Sequence, residues 1–430
     1  MNRVIEFRND SDIQKISLEF FMRNALSLET LMVWIVEALR RNVQHLDLNT
    51  PYYRDSDYER GYRHSKYYEI PYEIPHELLN CKSLKSLSIS LADIPYNWYT
   101  RSILPKSMSL PEIRKLTLKG ISIPNSELQR LFSSCPLMET VIIQDWDIQR
   151  NENRKMNKQR NINIVSQCLQ FLELTDRYHK RLGSAVNCLN CSTKISAPYV
   201  KYFKCTGFLR EDFSFENLSS LVSAHLEMRL RDKREADETA ETYSELLAEE
   251  KELFSKRMMR YLGAVHNVHH LTLSSGFLEV LLLAPGTSNH HSPQLCNLET
   301  LKLEMRFTRG SVRSIAYLLK ISPILMNLIL ISKESNLADV GDDWEEEFSS
   351  TGMFSHLKSV EIREVEGSYN ELKFLIFLLK KSTVLEKVIL FFRSTSDLLH
   401  RGRQVRQFKR SVSKLPTASS SIHFIEDALV

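Results

Sequence analysis

Glycine is scarce here: the 430 residues include only 12, and no two of them stand closer than ten positions. The phosphate-cradling GxGxxG and GxxxxGK loops and the GxSxG nucleophile turn each need two glycines within about six positions, where the backbone must bend tightly. Dinucleotide, P-loop and nucleophile-elbow chemistry are excluded on that ground alone. Cysteine is sparse as well. The seven are an odd, scattered set, unlike the even framework of a disulfide-stapled secreted domain. Long apolar runs are missing: the greasiest stretch, Phe277 to Ala284, falls short of the roughly 18 residues of a membrane span. The opening residues, Met-Asn-Arg-Val-Ile-Glu-Phe-Arg, lack the apolar centre of a secretory signal. The expected address is the cytoplasm or nucleus, with no membrane partner. Nor does one sign of charge dominate. Lys and Arg number 57 against 53 Asp and Glu, and a formal charge of +4 does not by itself imply nucleic acid.

What is present is a repeat. The pattern L-x-x-L-x-L, with any aliphatic residue at the L places, begins clearly at Ile13, Val43, Leu84, Ile113, Met138 and Leu169. It returns at Val268, Leu298, Leu325, Leu357 and Leu385, with poorer copies at Val200 and Leu221. Of the twelve intervals between these starts, nine fall between 25 and 32 residues; the others are 41, 21 and 47. A loose hexamer recurs by chance in an apolar chain, but a near-constant period of about 30 does not, and it matches long leucine-rich repeats.

Helical spacing fills the intervals. Asn125-Ser126 precede Leu128, Leu131 and Phe132, with Pro136 beyond as a stop. Ser311 precedes Val312, Ile315, Leu318 and Leu319, and Asn370 precedes Phe374, Leu375 and Leu378. Leu31 to Leu39 reads the same way. One strand and one helix per repeat predicts an α/β leucine-rich-repeat solenoid, a ribonuclease-inhibitor-like horseshoe of about 12–13 irregular repeats. A lone repeat cannot bury its strand face, so neighbours must bury it for one another. The strand's period of two then sends pattern positions four and six inward, and positions three and five onto the concave face.

Three stretches interrupt the rhythm. Residues 49–77 form a tyrosine-rich loop insertion. Residues 229–262 are highly charged and predict a helix insertion, exposed along much of its length. An acidic run around Trp344 reads as a loop.

Candidate chemistry is thin. Cys188-x2-Cys191 has the spacing of half a zinc site, but a closed site needs four ligands and usually shows a second pair. His269 and His270 are neighbours on a strand, so they point to opposite faces and do not readily share a metal. His76-Glu77 is not followed by the second histidine of HExxH. Carboxylates are plentiful but scattered, and no acid/base pair can be argued. The expectation is no enzyme, no metal and no cofactor. The basic tail from Arg401 to Lys414 alternates with Val405, Phe408 and Val412, which suggests the polar side of a final capping helix. A macromolecular partner on the concave face is the better expectation. The residues singled out for it are Phe171, Glu173, Tyr202, Lys204, His225, His270 and Lys302, with Phe171 and Tyr202 as anchors.

A set of ordered motifs resembles the plant F-box/LRR/FBD-repeat protein family. Trp34-Ile35, Ala38-Leu39-Arg40-Arg41 and Leu46-Asp47-Leu48 look like the family's first repeats. Ile74-Pro75, Leu78, Cys81 and Leu84 follow, then Ser134-Cys135-Pro136. Ile195-Ser196-Ala197-Pro198-Tyr199-Val200 looks like its mid-chain signature. Leu357-Lys358, Val360-Glu361-Ile362, Glu366-Gly367, Phe377-Leu378-Leu379-Lys380 and Leu385-Glu386-Lys387 look like its FBD module. The resemblance implies repeats over 1–350 and an FBD-like set of C-terminal repeats and cap over 351–425. It also implies an adaptor in which an F-box docks on the Skp1–cullin ubiquitin ligase and the repeats hold the protein substrate. The first twelve residues contain no Leu-Pro-led F-box pattern, so the expectation is the substrate-holding part without its F-box. The alternative is a stand-alone scaffold or competitor not linked to ubiquitination.

Overall fold

Alternation of period two decides the backbone wherever the aliphatic pattern falls. A computed structural model describes residues 12–19, 25–50, 72–73, 76–91, 102–103, 108–120, 125–144, 160–175, 191–230, 240–283, 293–334, 343–348, 353–393, 401–414 and 421–426. They fall into two units, residues 1–201 with 213–220, and residues 202–212 with 221–430.

In the first unit, β1 (Lys15–Glu19) leads into α1 (Ala25–Arg40) and β2 (His45–Thr50). The two-residue β3 (Tyr72–Glu73) and β5 (Ser102–Ile103) pair with each other, flanking β4 (Ser86–Leu91) in sequence. Then come β6 (Lys115–Lys119), α2 (Asn125–Ser133), β7 (Thr140–Gln144), β8 (Arg160–Val165), β9 (Phe171–Thr175) and β10 (Cys191–Ser196). Strands β1, β2, β4, β6, β7 and β9 lie side by side in that order, all parallel. Their register places the fourth pattern positions in one line, Leu46, Leu87, Leu116, Val141 and Leu172, and every one of these is buried.

The second unit opens with β11 (Tyr202–Phe208) and then β13 (Ser223–Arg229), with β12 (Asp212–Glu216) between them in sequence. Helices α3 (Ala240–Ser244) and α4 (Ala248–Ala264) follow, then β14 (His270–Leu273), α5 (Ser275–Leu281), β15 (Thr300–Arg306) and α6 (Arg309–Lys320). The rest is β16 (Asn327–Glu334), β17 (Ser359–Val365), α7 (Tyr369–Lys381), β18 (Lys387–Phe392), α8 (Arg401–Val412) and β19 (Ser421–Glu426). Strands β11 and β13 to β19 run parallel in chain order. Here the sixth pattern positions, Cys205, Leu226, Leu273, Leu303, Leu330, Ile362 and Leu390, make one buried line.

Backbone hydrogen bonds explain why the pattern starts where it does. The turn before a strand closes when the first pattern residue donates to the residue three back: Met138 to Cys135, Leu298 to Leu295, Leu325 to Ser322. That turn drops the first side chain into the core. The carbonyl of the second position then accepts from both the second and third amides of the next repeat, as Lys85 does from Arg114 and Lys115, and Glu299 from Met326 and Asn327. Each repeat thereby fixes the register of its successor.

Caps and buried polar ties order the helices of the second unit. Ser274, Thr308 and Ser368 accept from the amides of Phe277, Ser311 and Glu371 to start α5, α6 and α7. Glu371 returns the bond to the Ser368 amide, a reciprocal capping box. Helix α5 is held on both sides: Ser255 of α4 donates to the Leu281 carbonyl at 2.7 Å and Ser314 of α6 to that of Leu278 at 2.7 Å. Gly276 cannot be replaced freely, because a Cβ there would stand 2.2 Å from the Met228 carbonyl oxygen and 2.6 Å from the Tyr243 hydroxyl.

Several expectations are corrected. On the side where every repeat was expected to carry a helix, the described residues after β7, β9 and β11 carry the strands β8, β10 and β12, which form a separate three-stranded sheet. Helix α6 begins at Arg309 behind Thr308, not behind Ser311. Of the charged 229–262 segment, the described residues carry α3 and most of α4, and instead of being exposed along its length α4 buries Phe254, Met258, Tyr261 and Leu262. Around Trp344 a 3-10 helix, Asp343–Phe348, replaces the expected loop. There Trp344 and Phe348 pack with Phe374 and Phe377 of α7 at centroid distances of 5.0–6.2 Å. Helix α8 is not the last element, since β19 follows it and pairs with β18. Most of the tyrosine-rich 49–77 insertion lies outside the described residues.

Candidate functional site

By the strand's period of two, the third and fifth positions lie on the face opposite the buried fourth and sixth, and every residue singled out from the sequence holds one of these two positions. In the first unit Phe171 stands beside Thr140, and Glu173 beside Ile142. Glu173 is only 8% exposed; it accepts hydrogen bonds from Gln144 at 2.8 Å and Thr175 at 3.2 Å. A carboxylate so engaged is part of the surface's internal wiring as much as a group offered to a ligand.

The other five lie in the second unit. Register brings Lys204 beside His225, His225 beside Thr272, and Thr272 beside Lys302. A second line runs from Tyr202 through Ser223 and His270 to Thr300. Tyr202 is 51% exposed. Glu227, which the sequence list omitted, organises the neighbourhood at the seventh position of β13. It accepts from the Thr206 hydroxyl at 3.2 Å and pairs with Arg229, while His225 Nε2 lies 3.8 Å from the same carboxylate.

Further along the same sheet the chemistry changes. The fifth and seventh positions of β16 are Ile329 and Ile331, and those of β18 are Ile389 and Phe391. All four are part-exposed. Between these strands, Arg363 of β17 pairs with Glu361 and stacks over the Phe391 ring at 5.5 Å from its centroid. The sequence signal was available: an aliphatic residue at position five breaks the alternation that a solvated face requires. Behind the sheet end, Arg393 links Glu364 and Glu366; burial works against its charge, yet those two carboxylates hold the guanidinium above its ordinary value.

Among the described residues no group of three His, Cys, Asp or Glu side chains could hold a metal ion, and no helix is long and apolar enough to cross a membrane. Cys188 of the Cys-x2-Cys pair lies outside the described residues. Burial pushes the Cys135 thiol up to about 12, so it holds no reactive thiolate at neutral pH.

Comparison with known proteins follows the same lines. Residues 31–190 match the family described as "FBD-associated F-box protein At5g56370, LRR repeats", and residues 353–390 match the family described as FBD. The chain is 25% identical to the putative F-box/LRR-repeat protein At3g58920 of Arabidopsis thaliana, over 77% of this chain and 69% of that protein. It is 24% identical to the FBD-associated F-box protein At5g22730 of the same plant, over 92% and 76%. With that plant's F-box/LRR-repeat protein At2g42730 the identity is 22%, over 98% and 81%.

Proposed function

We propose that this chain, which belongs to the plant F-box/LRR/FBD-repeat family, is a non-enzymatic interaction module that holds a protein partner on the outward face of its parallel strands. Its repeats are of the ribonuclease-inhibitor-like kind, stacked as a solenoid whose concave face is that strand face. The observation that carries this reading is the run of Ile329, Ile331, Ile389 and Phe391 at positions where alternation calls for polar residues. A face that meets only water gains nothing from a patch of branched aliphatic and aromatic side chains, whereas a docking face does. Covering the exposed part of each such side chain contributes a fraction of the about 1.5–3 kcal/mol that full burial is worth.

The relatives' names support a further step. An F-box/LRR-repeat protein unites a repeat region with an F-box, so the partner held here is a substrate of an SCF-type ubiquitin ligase, reached through Skp1–cullin where an F-box is supplied. The FBD-like region at 351–425 extends the same face beyond the repeats of 1–350. The working compartment is the cytoplasm or nucleus.

Quantitative affinity purification of the wild-type chain and of Phe391→Ser from plant tissue tests this reading. Expected are Skp1 and cullin with both forms, and substrate proteins with the wild type only. Substrates retained by Phe391→Ser contradict the face. Substrates without Skp1 or cullin leave a stand-alone scaffold.

A further inference from the structure

The outward face of the second unit differs along its length in charge as well as polarity. Across β11, β13, β14 and β15 the third and fifth positions hold two lysines, two histidines, four hydroxyl-bearing residues and no carboxylate. Of the seventh-position acids beside it, Glu227 pairs with Arg229 and lies 3.8 Å from His225 Nε2, and Glu304 lies 3.5 Å from Lys333. Next to this polar stretch come the apolar side chains of β16 and β18. The one acid among them, Glu361, is paired with Arg363.

Register joins the two stretches. A single line of neighbours runs from Lys204 on β11, through Lys302 on β15 and Ile329 on β16, to Glu361 on β17 and Ile389 on β18. At about 4.8 Å per strand its six steps cover roughly 29 Å, the reach of about nine residues of extended peptide. Three of those steps, roughly 14 Å, separate Lys204 from Lys302, matching carboxylates about four residues apart.

We propose that this face takes an acidic linear segment of a partner protein, seated by an aliphatic or aromatic residue against Ile329, Ile389 and Phe391 and by carboxylates over Lys302 and Lys204. The proposal rests on the interaction reading above and names the chemistry of the occupant. A nucleic acid would meet the cations but offers nothing that matches the branched aliphatic side chains. An uncharged apolar segment would fill the aliphatic end and bring no group of opposite charge to the two lysines. Because every contacted position points away from the core, the site can be altered without touching the lines of buried leucines.

A random dodecapeptide library displayed on phage and selected on the full chain tests the proposal. The expected result is enrichment of Asp and Glu within about four residues of a Leu, Ile or Phe, with retention falling at least ten-fold on Lys204→Glu combined with Lys302→Glu. Retention is also expected to fall on Ile389→Ser, while both variants keep the wild-type denaturation midpoint. Peptides that depend on Ile389 but show no acidic bias, or survive the charge reversal, overturn the acidic occupant and leave the docking face standing. Peptides rich in Lys and Arg do the same. Selection of nothing that depends on Ile389 overturns both.

Discussion

Two stretches of one sheet face, β11–β15 and β16–β18, occupy equivalent places in equivalent repeats yet carry different chemistry. The first offers hydroxyls, histidines and lysines; the second offers isoleucines and a phenylalanine stacked under an arginine. Their inward sides do not differ: Leu303 on β15 and Leu330 on β16 are neighbours in one buried line. The difference teaches that the repeat dictates positions one, four and six and leaves the third and fifth free to vary. Folding needs the first set. The second set is where the two stretches differ.

If the stretches differ only outwardly, truncating their inward sides must cost the same. Leu303→Ala and Leu330→Ala are each expected to destabilise by about 2–5 kcal/mol in denaturant unfolding. A loss at one and none at the other would break the comparison. Gly276→Ala sharpens it behind the first stretch, where α5 approaches the Met228 carbonyl too closely for a methyl group. Relief of that overlap by backbone shift should cost about 1–3 kcal/mol, checked by the same unfolding curves.

Each stretch also has a buried carboxylate behind it. Glu279 accepts from the Ser311 hydroxyl at 2.9 Å and from Thr308 at 3.0 Å. Glu371 accepts from the Ser332 hydroxyl at 2.9 Å and from the Ser368 amide at 2.8 Å. Burial raises the Glu371 carboxyl above its ordinary value, so over a window of pH the folded chain keeps a proton that the unfolded chain has released. Its contribution to stability is full below the ordinary carboxylate pKa and declines as pH rises through the raised one. Glu371→Gln should remove that decline, seen as a flatter dependence of unfolding free energy as pH rises above the ordinary carboxylate range. An unchanged slope would contradict it. A smaller effect belongs to Ser255→Ala, which leaves the Leu281 carbonyl without its 2.7 Å donor and should cost about 1 kcal/mol.

Much of the fold was legible because the repeat's demands are local. Thirteen pattern starts predict thirteen strands, and their fourth and sixth positions are the residues that face the core. The fourteenth strand of this kind, β19, escaped because Ser419 stands where the pattern wants an aliphatic residue, although Ile422 and Phe424 keep the register of Val388 and Leu390. Strands β8, β10 and β12 escaped because they belong to a second sheet that the pattern does not describe. The aromatic packing around Trp344 could not be read either, since it depends on side chains from α7 some 30 residues away. On the outward face, Tyr202 and the two lysines were picked out by counting positions. The isoleucines of β16 and β18 were passed over because the count stopped at β15, although Ile142 at the fifth position of β7 had already broken the alternation.

The central claim concerns two adjacent residues. Ile389 and Leu390 share β18 but point to opposite faces, the first part-exposed and the second fully buried. Ile389→Ser and Leu390→Ser, compared by denaturation midpoint and by retention of the peptides selected on the wild-type chain, test it most directly. The account predicts that Leu390→Ser unfolds far more easily, while Ile389→Ser keeps the wild-type midpoint and loses the peptides. Wild-type peptide retention by Ile389→Ser, or equal destabilisation of the two variants, would contradict it.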